Sequence, residues 1–200
     1  MEFINIKQVI GGVFMSKKYF ACVYGGASEK IDKKYKKEIE KLGKIIAENN
    51  FSLVHGAGNS GCMGAVARGV RENNGYIMGV SPRFIKNFEG IFDCDNNVLV
   101  DTMSERKTLM EKHADIFIIV PGGVGTMDEF FQVLTLKYLK RINTPIIILN
   151  IDSFYDKLLS LIDSLIEQNA TDAVIHELFE VIDSVDDKRL KSILMKIKNT

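Results

Sequence analysis

Ile116-Phe117-Ile118-Ile119-Val120-Pro121-Gly122-Gly123-Val124-Gly125-Thr126-Met127-Asp128-Glu129 is the stretch whose reading decides the fold. The apolar run that begins at Ala114 and ends at Val120 has the length and β-branched content of a buried strand. Proline and glycines break it, and a helical pattern then runs to about Lys140. A buried strand that ends in glycines and turns directly into a helix is a place to hold an anion. Glycine lets the backbone approach a ligand closely, and a helix N-terminus offers free N–H groups at a positive dipole end. Glu129 falls in what the sequence reads as the first helical turn. A pure phosphate binder would avoid a negative charge there, so the carboxylate points to chemistry beside the phosphate.

The same strand–turn–helix unit recurs on both sides of this stretch. Tyr19–Tyr24 is an apolar run closed by Gly25-Gly26-Ala27-Ser28, and residues 30–49 follow at helical spacing. Phe51–His55 precedes Gly56-Ala57-Gly58-Asn59-Ser60-Gly61 and a helix over 62–72. Strands are expected at 76–80, 97–100, 144–149 and 179–182, and helices at 102–113, 154–168 and 186–198. Residues 83–95 have no clear period and read as a loop with a short helical turn. Strands alternating with helices mean βαβ crossovers. The expected fold is therefore α/β: a Rossmann-like, doubly wound parallel sheet with helices on both faces. In such sheets ligands bind beyond the carboxyl ends of the strands, where all three glycine turns lie.

Residues 15–200 read as one domain, and residues 1–14 as an upstream extension ahead of a natural start at Met15. Basic and acidic residues balance at 26 each, so no overall field favours nucleic acid or an anionic membrane. Neither is expected as a partner. The three cysteines, Cys22, Cys62 and Cys94, form no CxxC pair and argue for a reducing compartment, so a cytoplasmic location is expected.

Gly56–Gly61 spells G-x-G-x-x-G, the dinucleotide fingerprint. The form that binds NAD needs an acidic residue at the end of the next strand. Here that strand ends in Val80-Ser81-Pro82-Arg83, with no acid. Arg83 beside proline is a poor match for a 2′-phosphate. An NADP-dependent oxidoreductase is therefore the less favoured reading. No G-x-x-x-x-G-K-[ST], H-E-x-x-H or G-x-S-x-G is present, and the three scattered histidines suggest no metal. Arg106 and Lys107 are adjacent on a helix capped by Thr102 or Ser104. Adjacent helical residues do not share a face, and on spacing alone Arg106 belongs to a solvent-facing helix start.

Taken together, Glu105-Arg106-Lys107, the following strand and the P-G-G-x-G-T-x-x-E string resemble the LOG (Lonely Guy) family, from about Tyr19 to Gln168. Gly58-x-x-Gly61-x-Met63-Gly64-x-x-Ala67 and Leu149-Asn150-x-Asp152-x-Phe154-Tyr155 resemble two further segments of that family. The family hydrolyses the N-glycosidic bond of cytokinin riboside 5′-monophosphates to free base and ribose 5-phosphate. The resemblance implies catalytic roles for Arg106 and Glu129. It assigns phosphoribosyl binding to Gly122, Gly123, Gly125 and Thr126, with Lys107 beside them. Gly58 and Ser28, on the two other glycine turns, are further candidates for substrate binding. A homodimer is also implied, with the helices at 102–113 and 130–139 as candidate interface. The chain departs from the family at Ser104, at Gly25–Ser28 and at Asp128, mainly on the base and sugar side. An older family label is lysine decarboxylase, but neither a Schiff-base lysine nor a partner for a pyridine nitrogen can be placed.

Such a hydrolysis builds positive charge on the ribose. On the first-turn reading, the helix dipole holds Glu129 ionised, suited to stabilising that charge or orienting water. No cofactor and no metal are required. The alternative is a carrier that binds a nucleotide-like cofactor unchanged, as molybdenum-cofactor carriers do.

Overall fold

The computed structural model describes residues 19–87 and 90–199. The proposed extension and the start at Met15 lie outside the described residues. Seven strands form one sheet: β1 Tyr19–Tyr24, β2 Phe51–His55, β3 Ile77–Pro82, β4 Asn96–Val100, β5 Ile116–Ile119, β6 Ile146–Leu149 and β7 Glu180–Ile182. The order is β4-β3-β2-β1-β5-β6-β7, and every neighbouring pair is parallel. The expected Rossmann-like α/β fold is the observed one.

Among the described residues there are six α-helices: α1 Lys33–Glu48, α2 Gly61–Glu72, α3 Met103–His113, α4 Val124–Tyr138 and α5 Asp156–Glu167 make crossovers, and α6 Lys188–Lys198 follows the last strand. Alternation along the strands divides the core in two. Ala21 and Val23 of β1 join the layer under α1, α2 and α6, while Cys22 and Tyr24 join the layer under α3, α4 and α5. Both faces are covered, so the central strands are apolar throughout rather than alternating. No helix among the described residues is long and apolar enough to cross a membrane.

Helix starts follow side-chain caps. Asp32, not Lys30, sets the start of α1, its carboxylate accepting from the Lys34 amide at 2.9 Å. Thr102 caps α3 in a full capping box: its hydroxyl accepts from the Glu105 amide, and Glu105 accepts back from the Thr102 amide. Glu105 of the Glu-Arg-Lys string is thus occupied in starting the helix that carries Arg106. The crossovers run outward in one direction from β1 and in the other from β5. The order reverses between these two strands, and at such a switch point their carboxyl ends leave a crevice.

Candidate active site

At the switch point the first glycine turn meets the Pro121–Gly125 loop. The Gly26 amide donates to the Pro121 carbonyl at 3.1 Å. Gly122 is glycine because of this packing: an added Cβ would collide with the Thr126 hydroxyl and lie 2.7 Å from the Gly26 nitrogen. Gly123 and Gly125 differ. Among the described residues, apart from their chain neighbours and the helix's own backbone, no atom lies within 4 Å of where their Cβ atoms would be. Gly123 is the N-cap of α4, with Val124, Gly125 and Thr126 in its first turn. The first amides of a helix have no intrahelical partner, so a row of N–H donors faces open space where nothing in the chain requires glycine.

The helix begins at Val124, which moves Glu129 into the second turn of α4. This corrects the first-turn expectation. The dipole acts mainly within the first turn, so it does not decide the state of this carboxylate. Burial does. Glu129 is 5% exposed, and desolvation pushes its carboxyl up to about 7, against the opposing pull of Arg106. The expected permanently ionised carboxylate is thus a group that titrates near neutrality.

Arg106 comes from α3 and is 8% exposed, so the solvent-facing reading of its helix position does not hold. Its Nη2 lies 3.2 Å from Glu129 Oε1. Its Nε has no hydrogen-bond partner among the described residues. Gly56 makes room for the guanidinium, since a Cβ there would collide with Arg106 Nη2 and lie 2.9 Å from Cζ. A buried ion pair is held at a desolvation cost and is weak as a stability device, so its placement next to the glycine loop at the switch point is the informative feature.

Lys107, one residue on, diverges from Arg106 as helical geometry demands. It donates to both carboxylate oxygens of Asp128 at 3.0 and 2.8 Å. One turn further along the same groove, Gln132 donates to Glu111. The α3–α4 seam is therefore a ladder of polar pairs, with Arg106–Glu129 its sheet-facing rung.

The remaining sequence candidates lie nearby with their polar groups already engaged. The Gly58 amide points at Met63 Sδ, 3.1 Å away, and the Ser28 hydroxyl accepts from the Lys30 amide at 3.3 Å. Arg83 pairs with Asp101 at 3.1 Å, outside this cluster. His55, at the end of β2, is fully buried, and desolvation pulls it down to about 3, with Arg106 adding to the effect. It stands 3.5 Å from Cys94 Sγ, whose thiol burial pushes up to about 12, so both groups are neutral. The structure adds two residues that the sequence reading did not put forward as site residues. One is Gly56, whose need shows only in the tertiary contact with Arg106. The other is Tyr155, which touches the start of the glycine loop.

Fold and site together define a Rossmann-like α/β protein with a glycine loop at the switch point and a buried arginine–carboxylate pair near it. Comparison with known proteins narrows this. A family model described as "possible lysine decarboxylase" matches residues 63–190. The cytokinin riboside 5′-monophosphate phosphoribohydrolase LOG3 of Arabidopsis thaliana is 35% identical over 162 residues, 80% of this chain and 75% of that protein. The probable cytokinin riboside 5′-monophosphate phosphoribohydrolase LOG4 of Oryza sativa subsp. japonica is 33% identical over 168 residues, 83% of this chain and 73% of that protein. The chain belongs to the LOG family, an enzyme family. Among solved structures, the molybdenum cofactor carrier protein of Chlamydomonas reinhardtii superposes with a TM-score of 0.69 at 20% identity, covering 92% of this chain and 100% of that one. That likeness is one of fold.

Proposed function

We propose that the protein hydrolyses the N-glycosidic bond of a purine nucleoside 5′-monophosphate, releasing the free base and ribose 5-phosphate. A cytokinin riboside 5′-monophosphate or AMP-like nucleotide is the candidate substrate. The single observation that carries the reading is the buried Arg106–Glu129 pair beside the open Gly123–Thr126 amides. Membership of the LOG family, with named relatives that are phosphoribohydrolases, supports it.

The 5′-phosphate is received by the amides at the start of α4, where dipole and N–H groups favour negative charge. Those contacts are remote from the bond that breaks, and their binding energy orients the ribose against Glu129. As the C1′–N bond lengthens, the base takes the electron pair and the ribose becomes cationic. Glu129 in its ionised form stabilises that cation and accepts a proton from the attacking water, a role suited to a carboxyl near 7; the hydroxyl bonds to C1′, and the proton passes by way of solvent to the departing base, which leaves neutral. Arg106 holds the carboxylate in place and, through a planar fork that lysine lacks, offers donors to ribose or phosphate oxygens.

A homodimer is part of the proposal, as is activity in the cytoplasm without nucleic acid or membrane as partner. Sedimentation of the purified protein checks the dimer. The activity is tested by incubating the protein with AMP, isopentenylated AMP and the matching nucleosides, and measuring free base. Release from the monophosphates and not from the nucleosides is expected. Nucleotide recovered intact at every base would overturn the reading in favour of a carrier.

A further inference from the structure

Tyr155 lies thirty residues from the glycine loop in sequence and against it in space. Its ring is buried, and its hydroxyl donates to the Val120 carbonyl at 2.7 Å. The Gly26 amide donates to the next carbonyl, that of Pro121, at 3.1 Å, so the strand-to-loop corner is held at two consecutive carbonyls, Val120 by the phenol and Pro121 by the first glycine turn.

The segment leading to Tyr155 is built to hold it. Asn150 is 7% exposed, and its carbonyl oxygen accepts from the Tyr155 amide at 2.7 Å while its Nδ2 donates to Asp156 at 2.8 Å. Asp152 and Ser153, both non-glycine, adopt left-handed φ values of +49° and +59°. Consecutive residues in that region are strained, and such strain persists where surrounding structure enforces it, often at functional sites. The enforcing contacts are visible. Lys34 pairs with Asp152 at 2.9 Å, and Phe154 packs edge-on between Tyr35 and Tyr155. The segment thus presses the phenol toward the glycine loop from the β6 side of the crevice.

We propose that Tyr155 is a positioning residue whose hydroxyl fixes the corner at Val120–Pro121, and thereby the spacing of the Gly123–Thr126 amides that receive the substrate phosphate, with Asn150 seating it. The inference rests on the phosphate-loop reading of the preceding section. It requires the loop to bind a phosphate ester, not that base release has been seen.

The test is Tyr155→Phe, which keeps the ring and removes the hydroxyl's bond to the Val120 carbonyl. Affinity for ribose 5-phosphate is measured by calorimetry, beside the thermal midpoint with and without that ligand. Losing a well-formed buried bond predicts affinity lower by about tenfold, and a smaller ligand-induced rise in Tm. With a turned-over nucleotide, KM rises by the same factor while kcat and its pH midpoint stay put, because Glu129 is untouched. Asn150→Ala should reproduce the affinity loss in weaker form. A purely structural tyrosine would lower the Tm of the free protein and leave ribose 5-phosphate affinity at the parent value, and that result overturns the proposal. Failure of the parent protein to bind ribose 5-phosphate overturns it as well. Failure of base release alone strikes only the hydrolase reading.

Discussion

Two glycine turns, at the carboxyl ends of the strands β2 and β5 that flank β1, look alike in sequence and are used in opposite ways. In the turn after β2, the glycines serve the protein's own packing. Gly56 leaves room for Arg106, Gly61 holds a left-handed φ of +59° against the Gly26 carbonyl, and Gly64 lies against the Asn59 carbonyl. In the turn after β5, Gly122 is packed in the same manner, but Gly123 and Gly125 face open space. A glycine that the fold does not need is free for a ligand. The dinucleotide-like fingerprint at 56–61 is therefore scaffold, and the loop at 121–125 is the receptor that the proposed function requires.

Placing the same methyl group in both turns is the strongest way to break this contrast. Gly56→Ala drives a Cβ into the Arg106 guanidinium, so we expect base release to fall by about a hundredfold or more, with the ion pair displaced. Overpacking of this kind costs about 1–3 kcal/mol and should lower Tm by several degrees, read by thermal unfolding. Gly125→Ala should leave Tm nearly unchanged, since an alanine in a helix costs no more than glycine. Its loss should appear as weaker ribose 5-phosphate binding, about tenfold, measured by calorimetry. Equal Tm losses in the two variants would erase the distinction.

Next in size is the dependence on pH. The folded Glu129 carboxyl lies near 7, and the ionised form is the working one, so protonation removes activity as pH falls. The value of kcat/KM should be flat above about 8 and drop about tenfold per pH unit well below 7. A plateau down to pH 5 would mean that burial does not control this group.

The smallest effects sharpen the same picture at the exposed rung of the ladder. Lys107 lowers the Glu129 carboxyl and Asp128 raises it. Lys107→Met should move the midpoint of the pH profile upward and Asp128→Asn should move it downward. Each should cost less than about 1 kcal/mol of stability, because the Lys107–Asp128 pair is partly open to solvent. Shifts in the same direction would contradict the electrostatic assignment.

The strands and helices were legible because apolar runs, glycine turns and helical spacing agree along the chain. The strand–glycine–helix junction at 120–126 was legible for the same reason. Three features were not. The sequence placed Glu129 in the first turn because it cannot tell whether a helix starts before or after a glycine, and the start at Val124 is set by the loop's docking on Gly26. Arg106 read as solvent-facing because polar and apolar residues of α3 do not segregate to separate sides. A buried arginine in the inward row breaks the pattern that would reveal it. The pairing of Arg106 with Glu129 joins two helices through their packing, and no local spacing encodes it.

The account rests on a division of labour between a loop that binds and a carboxylate that reacts. Glu129→Gln tests it most directly, with base release and ribose 5-phosphate binding measured on the same preparation. We predict that release falls by at least about a hundredfold while affinity for ribose 5-phosphate stays within about threefold of the parent. Parent-level release in the variant, or loss of phosphate binding in a protein that still unfolds cooperatively, would contradict it.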